Sequence, residues 1–393
     1  MMERTPLKVA AALGVLLLIV LGAIWLSRQP SSSSGQDRQA AAPASTGATG
    51  SRGTAPSSGT GQLSQLQERK PKPDMLPMPN CWDGLAEFDS TASLDTFRGA
   101  LAAAVSARDR ILAEYLQERL TEIVGDDPAK ALQVLSWAEQ ASQAELGVYM
   151  EALKAAPAVH RKEVAQKLLA MGEDKGAQLM HRAAALDTLE TQRSLAPADI
   201  QRLKAIAMDT TVDSVAWVSA RTLGRVMKED FERTGTYAPY WQELLDVGQK
   251  SEDMAVRKLA LEMPSYSTPV LDEGSIGRLS HIMETDRERD VREEAAFQLA
   301  VTEAPDKALA AYKAAFPKEH DVCVRWAIFR FAVRAAGVGA FPLLREFARQ
   351  DPRFQPDVDD FQRLYADGTV DFSRVWLGKE ERFNCIMEEG APH

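Results

Sequence analysis

The sequence predicts an all-α protein: a solenoid of stacked antiparallel helix pairs, preceded by one transmembrane helix and a disordered stalk. Three observations carry that prediction. Apolar residues recur at helical spacing through most of the 393 residues, one unbroken apolar run lies near the N-terminus, and a Ser/Gly/Ala/Pro-rich stretch separates the two.

The first element is the run. Residues 1–8 form a basic flank with Arg4 and Lys8, and Val9 to Leu26 is a stretch of 18 apolar or small residues. At 1.5 Å per residue it spans about 27 Å, close to the hydrocarbon thickness of a bilayer. Trp25 stands at its end, where an interfacial aromatic belongs. The sequence Ile24-Trp25-Leu26-Ser27-Arg28 lacks the small-residue pair of a signal-peptidase site, so residues 9–26 are expected to stay attached as a signal-anchor. Arg4 and Lys8 precede the run and Arg28, Arg38 and Arg52 follow it, so the charge count barely orients the segment. An N-terminal basic flank suits an export signal. The expectation is a cytoplasmic N-terminus with the repeat domain extracytoplasmic (periplasmic in a bacterium), the alternative being a cytoplasmic repeat domain.

Residues 27–80 read as a stalk. Up to Gly61 they are Ser, Gly, Ala, Thr and Pro without hydrophobic periodicity, which leaves too little apolar surface to offset chain entropy. A flexible coil of about 35 residues has an r.m.s. span on the order of 30–35 Å. Pro71, Pro73, Pro77 and Pro79 then favour extended backbone.

Residues 81–350 carry the helical pattern. Leu94, Phe97, Leu101 and Val105 make one stripe, Ile111, Tyr115, Ile123 and Val124 the next, and Leu132, Leu135 and Trp137 open a third. Helix-start and helix-stop residues fall between stripes, as at Gly125-Asp126-Asp127-Pro128, Ala196-Pro197 and Ala304-Pro305. Taking Leu179, Val215, Val256, Val291 and Val324 as anchors, the intervals are 36, 41, 35 and 33 residues, the period of a two-helix repeat.

Around the later anchors the pattern Asp-x-x-Val-Arg-x-x-Ala-x-x-x-Leu recurs. It stands as Asp253-Met254-Ala255-Val256-Arg257 with Ala260, as Asp290-Val291-Arg292 with Ala295 and Leu299, and in part as Asp321-Val322-Cys323-Val324-Arg325. This resembles the second-helix signature of HEAT and HEAT-like repeats over about residues 175–347. The physics of the motif is structural. Val and Leu fill the space between neighbouring repeats, Ala lets helices approach, and Asp and Arg can pair along the stack.

Residues 351–393 change character. Asp351-Pro352 and Pro356 are expected to stop the helices, and Phe354, Phe361, Tyr365, Phe372, Trp376 and Phe383 crowd aromatics into what reads as a C-terminal cap. Asp357, Asp359 and Asp360 read as a solvated acidic loop, because a calcium loop's glycine and bidentate glutamate are missing.

The net charge of −10 understates the acidity of the body. Residues 1–62 hold five basic and two acidic side chains, which leaves 41 basic against 54 acidic in residues 63–393. Such a surface repels phosphate backbones, and no nucleic-acid partner is expected. The nucleophile-elbow, P-loop, zincin and dinucleotide-binding motifs are missing, and the five histidines are scattered. His281 and Glu284 share a helix face without the second pair a metal needs. No catalytic residue, cofactor or metal site is expected. Three cysteines remain. Cys81 and Cys385 each follow an asparagine outside helix interiors, whereas Cys323 sits in an apolar helical stretch and reads as a small core residue. Three free thiols, a Cys81–Cys385 bridge and, behind it, a Cys323–Cys385 bridge all remain open.

The expected function is a membrane-anchored scaffold that binds a protein or peptide partner through the solenoid surface. The alternative is a structural or regulatory subunit of a cell-envelope complex, associating through its transmembrane helix along the small residues Ala10, Ala11, Ala12 and Gly14.

Overall fold

The computed structural model describes residues 92–264, 272–302, 304–366, 383 and 385, all within one compact unit, Met78–His393. The anchor expected at 9–26, the stalk at 27–80, Cys81, and the tail aromatics Phe372 and Trp376 lie outside the described residues. Among those residues every regular element is helical.

In chain order the helices are α1 (Leu94–Ala107), α2 (Arg110–Val124), α3 (Pro128–Ala138), α4 (Gln143–Ala155), α5 (Lys162–Glu173), α6 (Leu179–Leu189), α7 (Pro197–Ala207) and α8 (Asp213–Thr234). They continue as α9 (Ala238–Lys250), α10 (Met254–Glu262), α11 (Glu273–Thr285), α12 (Arg289–Ala300), α13 (Pro305–Ala315), α14 (Val322–Ala336), α15 (Phe341–Gln350) and α16 (Gln355–Leu364). Local chemistry starts and ends them. Ser93 and Ser142 form capping boxes with Thr96 and Glu145, and Asp109, Asp127, Asp253, Asp272 and Asp321 accept from backbone N–H groups of the first turn. Proline occupies the first turn of α3, α7, α9, α13, α15 and α16, where a missing N–H costs nothing. Gly235 closes α8 at φ 73°, a left-handed backbone that favours glycine.

Packing follows chain order. Neighbours pair as α5/α6, α7/α8, α9/α10, α11/α12, α13/α14 and α15/α16. Even-numbered helices from α2 to α14 each touch the next in one row, and odd-numbered helices from α3 to α13 do so in a second row. The core lies between the rows. Val256 and Ala260 on α10, Val291, Ala295 and Leu299 on α12, and Val324 on α14 are each wholly buried. At Gly224 the packing leaves no room for a side chain, since a Cβ there would lie 2.3 Å from Cγ of Met263. Ala295 is wholly buried. Ala295→Leu is expected to overpack the α12 seams and cost about 1–3 kcal/mol, visible as a lower urea midpoint; an unchanged midpoint would mean that the site has room.

The structure departs from the sequence reading at several places. Ile111 is 82% exposed, because the buried stripe of α2 is Leu116, Leu120 and Val124; five residues before Leu116, Ile111 sits about 140° round the helix. Leu179 is 43% exposed, and on α6 the buried residues include His181, Arg182, Ala185 and Leu189, so this repeat copy is set two residues later than expected. Pro356 does not stop a helix but lies in the first turn of α16, and Asp357, Asp359 and Asp360 stand on that helix with Asp357 wholly buried, so they form no solvated loop.

The C-terminal helices gather the aromatics. Trp326, Phe329, Phe354 and Phe361 are wholly buried together, and Phe383 packs against them, 5.8 Å from Trp326 and 5.3 Å from Phe354 between ring centres. Cys385, two residues on, forms a disulfide with Cys323 across 62 residues, with Cα atoms 5.5 Å apart. This corrects the ordering of the bridges, because Cys385 is taken and no Cys81–Cys385 bridge exists alongside it. Cys323 is not inside its helix but second in α14, beside the ring cluster that Phe383 joins. The stretch Val322–Gln350 has the length to cross a membrane, and its most apolar 18-residue window has a mean hydropathy of 1.5, yet 56% of that window is buried. It comprises α14, a 3-10 turn and α15, and α14 packs against α12 and α13, as a core helix does.

Candidate functional site: a charged cleft and the arginine ladder beside it

A step in helix length makes the cleft. Helix α8 has 22 residues where its row neighbours α6 and α10 have 11 and 9. At 1.5 Å per residue it outruns α6 by about 16 Å and stands as a wall. The far half of that wall is held in place from behind: Tyr240 donates from its hydroxyl to Oδ2 of the buried Asp230 at 2.9 Å, and the Leu195 N–H donates to the same hydroxyl at 2.9 Å.

In the step lies a cavity of about 440 Å³ lined by Lys154 of α4, Asp187, Glu190 and Thr191 of α6 and its end, and Arg225, Lys228, Glu229 and Glu232 of α8. Spacing explains the wall, since 221, 225, 228, 229 and 232 fall on one helix face. The floor is a relay of charges across three helices. Glu151 pairs with Lys154, Lys154 with Asp187, Asp187 with Arg221, and Arg221 with Glu190. Arg221 also lies over the Trp217 ring, 5.1 Å from its centre. Burial works against the Lys154 charge, but Asp187 and Glu151 outweigh it and raise the ammonium above its usual range. Burial pushes the Glu190 carboxyl up, against the pull of Arg221.

The rim differs from the floor. Arg225 and Glu229 are exposed and enter no ion pair among the described residues. The cleft therefore offers amine, guanidinium and carboxylate groups and one hydroxyl, already balanced at the floor and open at the rim. That chemistry suits exchange of ion pairs with a ligand, and the one hydroxyl, of Thr191, donates to the Thr188 carbonyl at 2.8 Å. Among the described residues no group of three metal-ligating side chains occurs, and Glu284 pairs with Lys318 on the neighbouring repeat.

The repeat-signature arginines line up differently. Arg257 donates from Nε and Nη2 to Asp286 at 3.0 and 3.1 Å, and from Nη1 to the carbonyls of Ser251 and Glu252. Arg292 donates to Glu319 at 2.8 and 3.3 Å and to the Asp286 carbonyl at 3.0 Å. Arg325 donates to the Glu319 carbonyl at 2.7 Å and to Asp351 at 3.1 Å. Each of Asp286 and Glu319 thus gives its carboxylate to the preceding repeat's arginine and its carbonyl to its own repeat's arginine. The result is a ladder that joins successive helix pairs.

The signature aspartates do other work. Asp253 accepts from the Val256 N–H at 2.8 Å and Asp321 from the Cys323 N–H at 2.7 Å, as helix caps, while Asp290 pairs with Arg289 on its own helix at 3.2 Å. The arginines thus pair along the stack as expected, but with the turn acids Asp286, Glu319 and Asp351 in place of the motif's own aspartates. Sequence reasoning also missed the cleft, whose charged residues it did not single out; the available signal was a charged i, i+4, i+7, i+8, i+11 run on one long helix.

Comparison with protein-family models, with curated proteins and with solved structures finds no match.

Proposed function

We propose that the chain is a membrane-anchored helical-repeat scaffold: a HEAT-like solenoid of antiparallel helix pairs, tethered by residues 9–26 on the stalk at 27–80, that binds a protein or peptide partner without catalysis. The carrying observation is the cleft beside α8, where Arg225 and Glu229 stand open over a floor of satisfied ion pairs. A folded partner or extended peptide with charges of both signs complements such a rim. An extracytoplasmic body is supported by the Cys323–Cys385 bridge, since disulfides persist in oxidising compartments.

The test is capture of the partner from the native membrane with the full chain, followed by the paired reversal Arg225→Glu and Lys228→Glu. Loss of long-range complementarity and of the rim contact is expected to weaken binding by on the order of tenfold or more. A partner retained at full strength by the reversed cleft, but lost when Ala10, Ala11, Ala12 and Gly14 are enlarged, would sink this reading in favour of association through the anchor.

A further inference from the structure

Helix α12 carries two consecutive glutamates that face its two row neighbours. Toward α14, Glu293 meets Arg330 and the N-cap Asp321, with Arg289 and Asp290 on its own helix. Toward α10, Glu294 meets Glu262 and Lys258, which pair with each other at 3.8 Å, and one turn along its own helix it meets Gln298. The second group has a specific defect when Glu294 is charged. Gln298 is 1% exposed and donates from Nε2 to Glu294 Oε1 at 2.9 Å. Its own Oε1 is buried and has no donor. A buried amide oxygen left without a donor is costly.

A carboxylic acid repairs this in one step. An amide and a carboxyl group are complementary in both directions. The amide N–H donates to one carboxyl oxygen, and the protonated oxygen donates back to the amide carbonyl, closing a ring of two hydrogen bonds. A carboxylate can make only the first of these. We infer that Glu294 is a proton-operated clasp on the α10–α12 seam: as a neutral acid it closes the ring with Gln298, and on losing its proton it opens it.

The electrostatics run the same way. Burial pushes the Glu294 carboxyl up to about 7, with Glu262 and Glu293 adding to it and the hydrogen bond from Gln298 and the charge of Lys258 opposing. Burial likewise raises Glu293 to about 7 against Arg289 and Arg330. Both folded-state values exceed the ordinary glutamate value of 4.5, so between 4.5 and 7 the folded chain holds more protons than the unfolded one. Their stabilising contribution is complete below that window and is lost as the pH rises through it. The clasp is closed on the acid side and open above neutrality.

Two measurements on the full-length protein test this. In the first, selectively 13C-labelled glutamate is titrated by NMR, with the Glu294 resonance assigned by its loss in Glu294→Gln or, should that chain fail to fold, in Glu294→Asp. A midpoint near 7 is expected; a midpoint in the ordinary carboxylate range overturns the clasp. In the second, urea midpoints of wild type, Glu293→Gln and Glu294→Gln are compared from about pH 5 to about pH 8. Glutamine at 294 is permanently neutral and can close the same two-bond ring through its amide. Glu294→Gln is therefore expected to match wild type at the acid end and to exceed it at the alkaline end, with a shallower pH slope. Glu293→Gln separates the slope contributed by its neighbour. A Glu294→Gln chain whose stability falls with pH in parallel with wild type overturns the inference.

Discussion

Arg257→Ala is expected to destabilise the protein by about 3–5 kcal/mol. Its side chain is 4% exposed and that of its partner Asp286 is 8% exposed. The guanidinium holds both carboxylate oxygens and two main-chain carbonyls in one plane. Truncation removes the cation and leaves Asp286 charged in a site built to exclude water, with the Ser251 carbonyl stripped of its donor. Arg257→Lys should recover only part of the loss, because a single ammonium cannot match the two-pronged contact while reaching the carbonyls. The paired replacement Arg257→Met with Asp286→Leu should lie well above Arg257→Ala, since it leaves no buried charge behind. Arg292→Ala, where the pair is 14% and 10% exposed, should cost less. Urea denaturation reads all four; an Arg257→Ala chain as stable as wild type would show that the ladder contributes nothing to the stack.

That ladder shows what a sequence can and cannot reveal about such a fold. The buried face was legible because helical geometry writes it at a fixed spacing: Val256 and Ala260, or Val291, Ala295 and Leu299, return to one side every three or four residues. The arginines were legible for the same reason. Their partners were not, because Asp286, Glu319 and Asp351 sit in turns, and turn length varies. The separations are 29, 27 and 26 residues. No fixed period points to them, whereas of the motif's own aspartates Asp253 and Asp321 are drawn into helix capping and Asp290 pairs with Arg289 beside it. The cleft was hidden by a different cause. Its residues are ordinary surface charges one by one, and only the mismatch between α8 and α6 turns them into the wall and floor of a cavity. Ile111 and Pro356 mark the limits of local pattern: the first lies about 140° round its helix from the buried stripe, and the first-turn position makes the second a helix starter.

Cys323→Ser is expected to cost about 4 kcal/mol, the chain entropy that the bridge removes from the unfolded state for a loop of this length. The closed loop contains α15, α16 and all of α14 from Cys323 onward, so the penalty falls on the terminal helices and the aromatic cluster they share. Phe383 adds to the expectation. It packs at 5.3 Å from Phe354 and 5.8 Å from Trp326, and without the covalent tie two residues later its ordering entropy is no longer prepaid. Cys385→Ser should match Cys323→Ser, and reduced wild type should match both, because each removes the same constraint. Thiol counting connects this to topology. With Cys323 and Cys385 joined, a chain of three cysteines holds one that has no partner within the molecule. Protein isolated from its native cells and denatured without reductant should therefore show one titratable thiol per chain. Three would mean that the body folds where thiols stay reduced, which would remove the support for an extracytoplasmic solenoid. In that case Cys323→Ser should be nearly neutral in the cell-derived protein and costly only after oxidation in vitro, so the same pair of measurements separates a bridge that stabilises the native chain from one that the compartment never allows to form.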